Sequence, residues 1–148
     1  MNKRVIGRVD IVDLPGLGLS DVEAKVDTGA YTSAIHCTRV KLLTDGDVPT
    51  LSFHISRMRG GKRANRRFLT EEFREKIVRN SFGHTEKRFV IRTRIRVFGK
   101  VINASFTLSN RTNMRYPILL GRKLLKNRYV VDVSAVYLSY SQKQANRL

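Results

Sequence analysis

The chain reads as a mainly β protein. Three observations predict this: valines and isoleucines recur in short runs bounded by turn residues, apolar and charged residues alternate within those runs, and helical periodicity is rare. A length of 148 residues with 41% hydrophobic side chains suits a single domain, 1–148, around one packed core.

Taken in order, Lys3 to Val12 alternates about Val5, Val9 and Ile11, and Pro15-Gly16-Leu17-Gly18 turns the chain into a hairpin. Val22 to Asp27 alternates apolar and charged residues, as a half-buried strand ending at Asp27 does. The run GGKRANRR, Gly60 to Arg67, has no apolar residue except Ala64 and reads as an exposed basic loop within a basic insertion over 57–75. Lys76 to Arg96 reads as two strands, a hairpin over 77–91 with its tip at Ser81-Phe82-Gly83-His84. Arg92 to Phe98 alternates basic with mostly apolar residues before a turn at Gly99-Lys100. Val101 to Leu108 then sets Ile102, Ala104, Phe106 and Leu108 on one face. Leu119-Leu120-Gly121 is too short an apolar run for a helix. Arg122 to Asn127 is expected to form one short helix with Leu124 and Leu125 facing inward, and Tyr129 to Tyr140 ends the chain in strand-like residues.

Lys and Arg number 29 against 12 Asp and Glu, a net charge of +17 that calls for an anionic partner. Between Arg57 and Arg94 stand 13 basic residues and four Glu, so nine of those seventeen charges fall in a quarter of the chain. Cys37 is the only cysteine, which excludes an intrachain disulfide. No apolar run suits a signal peptide or a membrane span, and the expectation is a cytoplasmic protein without a membrane partner.

The stretch VDTGAYTSA places Asp27 where a strand ends. An Asp-Thr-Gly alone is common at turns, and a turn is the ordinary reading of the tripeptide. Its context favours a catalytic carboxylate: a strand delivers Asp27 from a rigid scaffold, Gly29 permits close backbone approach, and Thr28 offers a hydroxyl. Much later Ile118-Leu119-Leu120-Gly121-Arg122 sets aliphatics before a glycine. Aspartic proteases need such a segment where the Asp-Thr-Gly strand passes between its neighbours.

With both motifs present, the sequence resembles the retroviral-type aspartic proteases, the retropepsins. More closely it resembles the bacterial RimB-like proteins, associated with the ligase that adds glutamates to a small-subunit ribosomal protein. The matching stretches are LPGLGL, AKVDTGAYTSAIH, VRNSFGHTEKRFVIRT, LSNRTNMRYPILLGR and the terminal VVDVS. The resemblance implies a closed retropepsin-like barrel, the acid protease fold, with one short C-terminal helix and activity as a homodimer. It implies Asp27 as the catalytic residue, supported by Thr28, Gly29 and Ala30, with the tip Ser81, Phe82, Gly83 and His84 closing over substrate as a flap. Family members have carried the label of ATP-dependent zinc protease, but no Walker motif, H-E-x-x-H or C-x-x-C occurs here, and neither a metal nor another cofactor is expected. In one respect the chain departs from many retropepsins: Tyr31 stands where a second acid would pair with the arginine of the glycine-arginine motif. Arg122 is left to substrate or to another acid such as Asp132.

Aspartic protease chemistry uses two carboxylates about 3 Å apart that share one proton. One Asp-Thr-Gly therefore implies a two-fold homodimer with the site on its axis. Through the ligase association, the resemblance implies an acidic substrate such as a polyglutamate-extended ribosomal protein, and arginine forks suit its carboxylates. Arg79 and Arg88 on the hairpin, with Arg111 and Arg122 around the closing segment, are the expected readers. The principal rival is a nucleic-acid or ribosome-binding module with Asp27 incidental. It accounts for the charge but has no recognition motif behind it, leaving nucleic acid a nonspecific partner. Ser33 with His36 as a nucleophile pair lacks a nucleophile elbow, and a turn or capping hydroxyl is the better reading of Ser33.

Overall fold

The computed structural model describes residues 2–59, 62–79, 82–110 and 115–147. Twelve strands occur there: β1 Arg4–Ile6, β2 Val9–Leu14, β3 Leu19–Val26, β4 Ser33–His36, β5 Thr38–Leu43, β6 Thr50–Arg59, β7 Lys62–Thr70, β8 Phe73–Arg79, β9 Thr85–Val97, β10 Lys100–Ser109, β11 Ile118–Leu120 and β12 Tyr129–Val131. Two α-helices accompany them, α1 Arg122–Leu125 and α2 Leu138–Ala145, and Pro15–Leu17 forms a 3-10 turn.

The fold is mainly β, as the alternation predicts, and its centre is a closed six-stranded barrel. The strand order β10-β4-β11-β3-β2-β9 is closed by antiparallel pairing of β9 with β10. Ile6, Leu14, Ala24, Ile35, Phe106 and Leu120 belong to one buried core cluster. Alternation on β9 is strict at its lower end: Ile91, Thr93, Ile95 and Val97 are buried while Arg92, Arg94 and Arg96 face solvent. The upper end of β9 leaves the barrel and pairs with β8 from Thr85↔Arg79 to Ile91↔Phe73, forming the hairpin expected over 77–91.

Several expectations change. The single strand expected from Lys3 to Val12 is two, parted around Gly7, where the chain passes so close to Ala135 that a Cβ would lie 2.2 Å from its carbonyl oxygen. β1 departs there to pair in parallel with β12, outside the barrel. GGKRANRR is not a loop from Lys62 onward: it belongs to β7, the edge strand of a three-stranded sheet β5-β6-β7. Phe53 and Phe68, paired across that sheet, stack at 5.5 Å, and Arg67 donates to the Ser52 hydroxyl at 3.0 Å. A basic edge strand of this kind also discourages edge-to-edge association.

The strand-like ending is likewise replaced, since only Tyr129–Val131 pairs and the chain closes in α2, so there are two helices rather than one. The start of α2 is capped from a distance. The buried Asp10 carboxylate accepts the N–H groups of Ser139 and Tyr140, both at 3.0 Å, as well as that of Ile11 at 2.8 Å. Burial raises the Asp10 pKa despite these bonds. Three residues along β2, Asp13 holds the other end of α2: Lys143 bridges Asp13 at 2.8 Å and Asp21 at 2.7 Å. No helix among the described residues is long and apolar enough to cross a membrane.

Candidate active site

β11 lies between β3, which it joins in parallel from Ile118↔Ala24 to Leu120↔Val26, and β4, which it joins antiparallel through Ile118↔Ile35. The loop from Asp27 to Thr32 leaves β3 and returns on β4, crossing the end of β11. Each part of that loop is held. The Asp27 N–H donates to the Leu120 carbonyl at 2.9 Å, and the Asp27 carbonyl accepts the Ala30 N–H at 3.3 Å. Within the loop, the Gly29 N–H donates to Asp27 Oδ1 at 3.0 Å, fixing the carboxylate's orientation while leaving it half-exposed.

The segment after β11 supplies the loop's other supports. Arg122 and Lys123 donate their backbone N–H groups to the Ala30 and Tyr31 carbonyls at 2.8 and 2.9 Å. The first turn of α1, whose N–H groups have no partner within the helix, is thereby satisfied by the Asp27 loop. Gly121 must be glycine. A Cβ there would sit 2.8 Å from the Tyr31 oxygen and 3.0 Å from the Ala30 oxygen. This close approach is the physical reason for aliphatics followed by glycine.

Arg122 is not left to Asp132. Its guanidinium donates to the Thr28 carbonyl at 2.9 Å and lies 5.8 Å from the Tyr31 ring centroid, so Tyr31 meets the arginine through its ring in place of an acid. The Asp132 carboxylate is used locally by Ser134, whose hydroxyl and N–H hydrogen bonds hold its pKa down. Ser33, 2% exposed, has its hydroxyl committed as acceptor to the Gly121 N–H at 3.0 Å. It is a structural support that the sequence identifies only as a turn or capping hydroxyl. Burial pushes the Cys37 thiol up to about 12, which leaves no thiolate for nucleophilic attack. Among the described residues no group of three or more His, Cys, Asp or Glu side chains is placed to hold a metal.

The hairpin separates two of the expected arginines. Arg79 pairs with Thr85 and Arg88 with Lys76, positions of opposite parity, so their side chains belong to opposite faces. Arg79 shares its parity with the barrel-facing residues Ile91, Thr93 and Ile95, whereas Arg88 shares the outer parity of Arg92 and Arg94 and contacts Glu86 at 3.3 Å. At the tip Phe82, Gly83 and His84 are exposed. Ser81 and Arg111 lie outside the described residues.

Known proteins resemble this chain in fold and in sequence. The fold matches the crystal structure of Lpg0085, a protein of unknown function from Legionella pneumophila, with a TM-score of 0.71 and 24% identity over 93% of this chain and 99% of that one. Two curated proteins, each named "Probable alpha-L-glutamate ligase", are similar in sequence. That of Desulfotalea psychrophila is 35% identical over 130 residues, and that of Shewanella pealeana 32% over 133. The alignments cover 88% and 90% of this chain but 28% and 29% of those proteins, so the chain spans less than a third of their length. A family model described as the retropepsin-like aspartic endopeptidase RimB matches residues 5–142, and the chain belongs to this RimB-like family.

Proposed function

We propose that the protein is a homodimeric aspartic endopeptidase that hydrolyses peptide bonds in acidic, glutamate-rich tails in the cytoplasm. The observation that carries this reading is the Asp27 loop, held by Leu120, Gly121 and Arg122 with its carboxylate oriented and half-exposed. The loop offers one carboxylate, and a second chain related by a two-fold axis supplies the other. The two share a proton: the ionised one takes a proton from water as it attacks the scissile carbonyl, and the protonated one donates to the carbonyl oxygen. Collapse of the resulting tetrahedral adduct, with a proton passed to the leaving nitrogen, yields the acid and amine products.

Support for a dimer also comes from the small β1–β12 sheet. It leaves Val5 46% and Val130 52% exposed, an apolar strip with no partner strand in the single chain among the described residues. The substrate class is supported by the basic surface and by the names of the similar ligases, proteins named for handling glutamate. Arg79 on the barrel-side face of the flap and Arg122 beside the loop are the carboxylate readers in this proposal, joined by Arg111; Arg88, on the opposite face, steers substrate from outside.

The test is mass spectrometry of a peptide ending in an oligoglutamate tail, incubated with wild type or with Asp27→Asn beside a neutral peptide. Shortening of the acidic peptide by wild type alone supports the reading. Equal cutting by both proteins, or by neither, refutes it.

A further inference from the structure

A second concave site lies outside the flap and meets the supports of the Asp27 loop only at Lys123, whose backbone N–H bonds the Tyr31 carbonyl. A cleft of about 540 Å³ opens between the start of the chain, the β9–β10 turn and the segment following α1. Arg4, Lys100, Lys123, Lys126 and Arg128 line it, and among the described residues no acidic one does. Five like charges around one concavity repel one another and focus a positive field into it, which a solvated protein face has no need to do.

The five cations are not equivalent. The Arg4 guanidinium lies 4.2 Å over the Phe98 ring and donates to Gln142 Oε1. Arg128 donates through Nη1 to the Leu124 carbonyl at 3.0 Å. Arg4 is thus engaged with the protein, while Arg128 gives it one of five N–H donors. None of the three lysines enters an ion pair among the described residues. The cleft therefore offers three compact ammonium charges beside the remaining donors of Arg128.

The turn that carries Lys100 is strained at one residue. Phe98 and Gly99 have φ of 52° and 74°, both central residues of the tight β9–β10 turn, and Asn127 after α1 has φ of 66°. A bulky residue at positive φ costs on the order of 1 kcal/mol, and it persists only where the surroundings hold it. Here Phe98 is held by its N–H bond to the Ser139 hydroxyl at 2.8 Å and by Tyr129, 6.0 Å away between ring centroids. Strain kept at Phe98, on one edge of the cleft, is a feature that functional sites share.

The chemistry of the ligand follows from these facts. Phe98 is 7% exposed with a guanidinium over its ring, so it offers no face for a nucleobase. Three ammonium point charges without ion-pair partners, with Arg128 beside them, suit the tetrahedral oxygens of phosphate. The volume falls within the roughly 300–1,000 Å³ of small-molecule sites. We propose that this cleft binds a small ligand carrying two or more phosphate groups, at a site separate from the candidate active site.

Calorimetry and backbone-amide NMR on the full chain test this with three probes at matched ionic strength: inorganic pyrophosphate, citrate and a single-stranded RNA oligomer. The expected result is saturable pyrophosphate binding, with shifts confined to Phe98–Lys100 and Lys123–Tyr129. The triple variant Lys100→Gln, Lys123→Gln, Lys126→Gln should weaken it at least about tenfold with its spectrum otherwise native. If the triple variant does not fold, Lys100→Gln and Lys126→Gln singly should each weaken it about threefold or more. Citrate bound as tightly as pyrophosphate would overturn the phosphate assignment. RNA bound while pyrophosphate is not would make the cleft part of a nucleic-acid surface. Absence of binding, or shifts elsewhere, would dismiss the site. None of these outcomes depends on whether Asp27 cleaves a peptide.

Discussion

The Arg122 guanidinium reaches across 2.9 Å to the Thr28 carbonyl, the residue next to Asp27, so the glycine-arginine motif holds the candidate catalytic loop by a charge-assisted bond to its backbone. Arg122→Gln is expected to lower stability by no more than about 1 kcal/mol, since the pair is exposed. Cleavage should nevertheless fall by roughly 10²-fold, because a displaced carboxylate loses its reacting geometry. Denaturant melts run beside peptide cleavage check both parts.

Gly121→Ala should be far more damaging to the fold. Its Cβ meets backbone atoms of Ala30, Tyr31 and Thr32 at 2.8 to 3.0 Å, none of which can swing aside as a side chain would. A loss of roughly 1–3 kcal/mol is expected from such overpacking, read as a lower denaturation midpoint with an unchanged slope.

The β1–β12 sheet is the expected dimer contact. Val130→Asp, at a position 52% exposed in the single chain, should leave the circular dichroism of the fold intact. In sedimentation the variant should run as a monomer, and cleavage should be lost. A dimeric, active variant would place the interface elsewhere.

Asp10 and Asp13 predict opposite contributions to stability against pH. Burial raises the folded pKa of Asp10 above its usual 3.8, so its contribution falls as pH rises from there through the folded value. Burial opposes ionisation of Asp13 as well, but the bonds from Lys143 and from the Asp21 N–H, with the Lys143 and Arg96 charges, outweigh it and lower the pKa. Its contribution is present above 3.8 and is lost as pH falls through the folded value. Lys143, desolvated yet bonded to Asp13 and Asp21, has a raised pKa, and its share disappears as pH rises beyond 10.5 through the folded value. Denaturation midpoints across pH should show Lys143→Met flattening both the acid and the alkaline limb, and Asp10→Asn steepening the acid one.

What was legible in the sequence was what local pattern carries. The alternation in Arg92 to Val97 pointed to the barrel strand, and the pairing of Asp27-Thr28-Gly29 with Ile118 to Gly121, read through the likeness to aspartic proteases, pointed to the crossing of β11 with the loop. Contacts between distant segments were hidden. The helix α2 has a polar sequence without a local capping side chain, because its cap is Asp10, 129 residues away from Ser139. β7 shows little apolar alternation because it is an edge strand whose anchor is Phe68 on Phe53. The opposed faces of Arg79 and Arg88 depend on hairpin register, which the masked periodicity of a largely charged segment does not fix.

In the proposed enzyme two Asp27 carboxylates, one from each chain, form one active centre. Subunit mixing is the sharpest test: wild-type and Asp27→Asn chains are unfolded together, refolded at varied ratios, and assayed for cleavage of an oligoglutamate tail. Activity should follow the square of the wild-type fraction, since a mixed dimer lacks one carboxylate of the pair. Activity linear in that fraction would show that each chain works alone and that no shared centre exists.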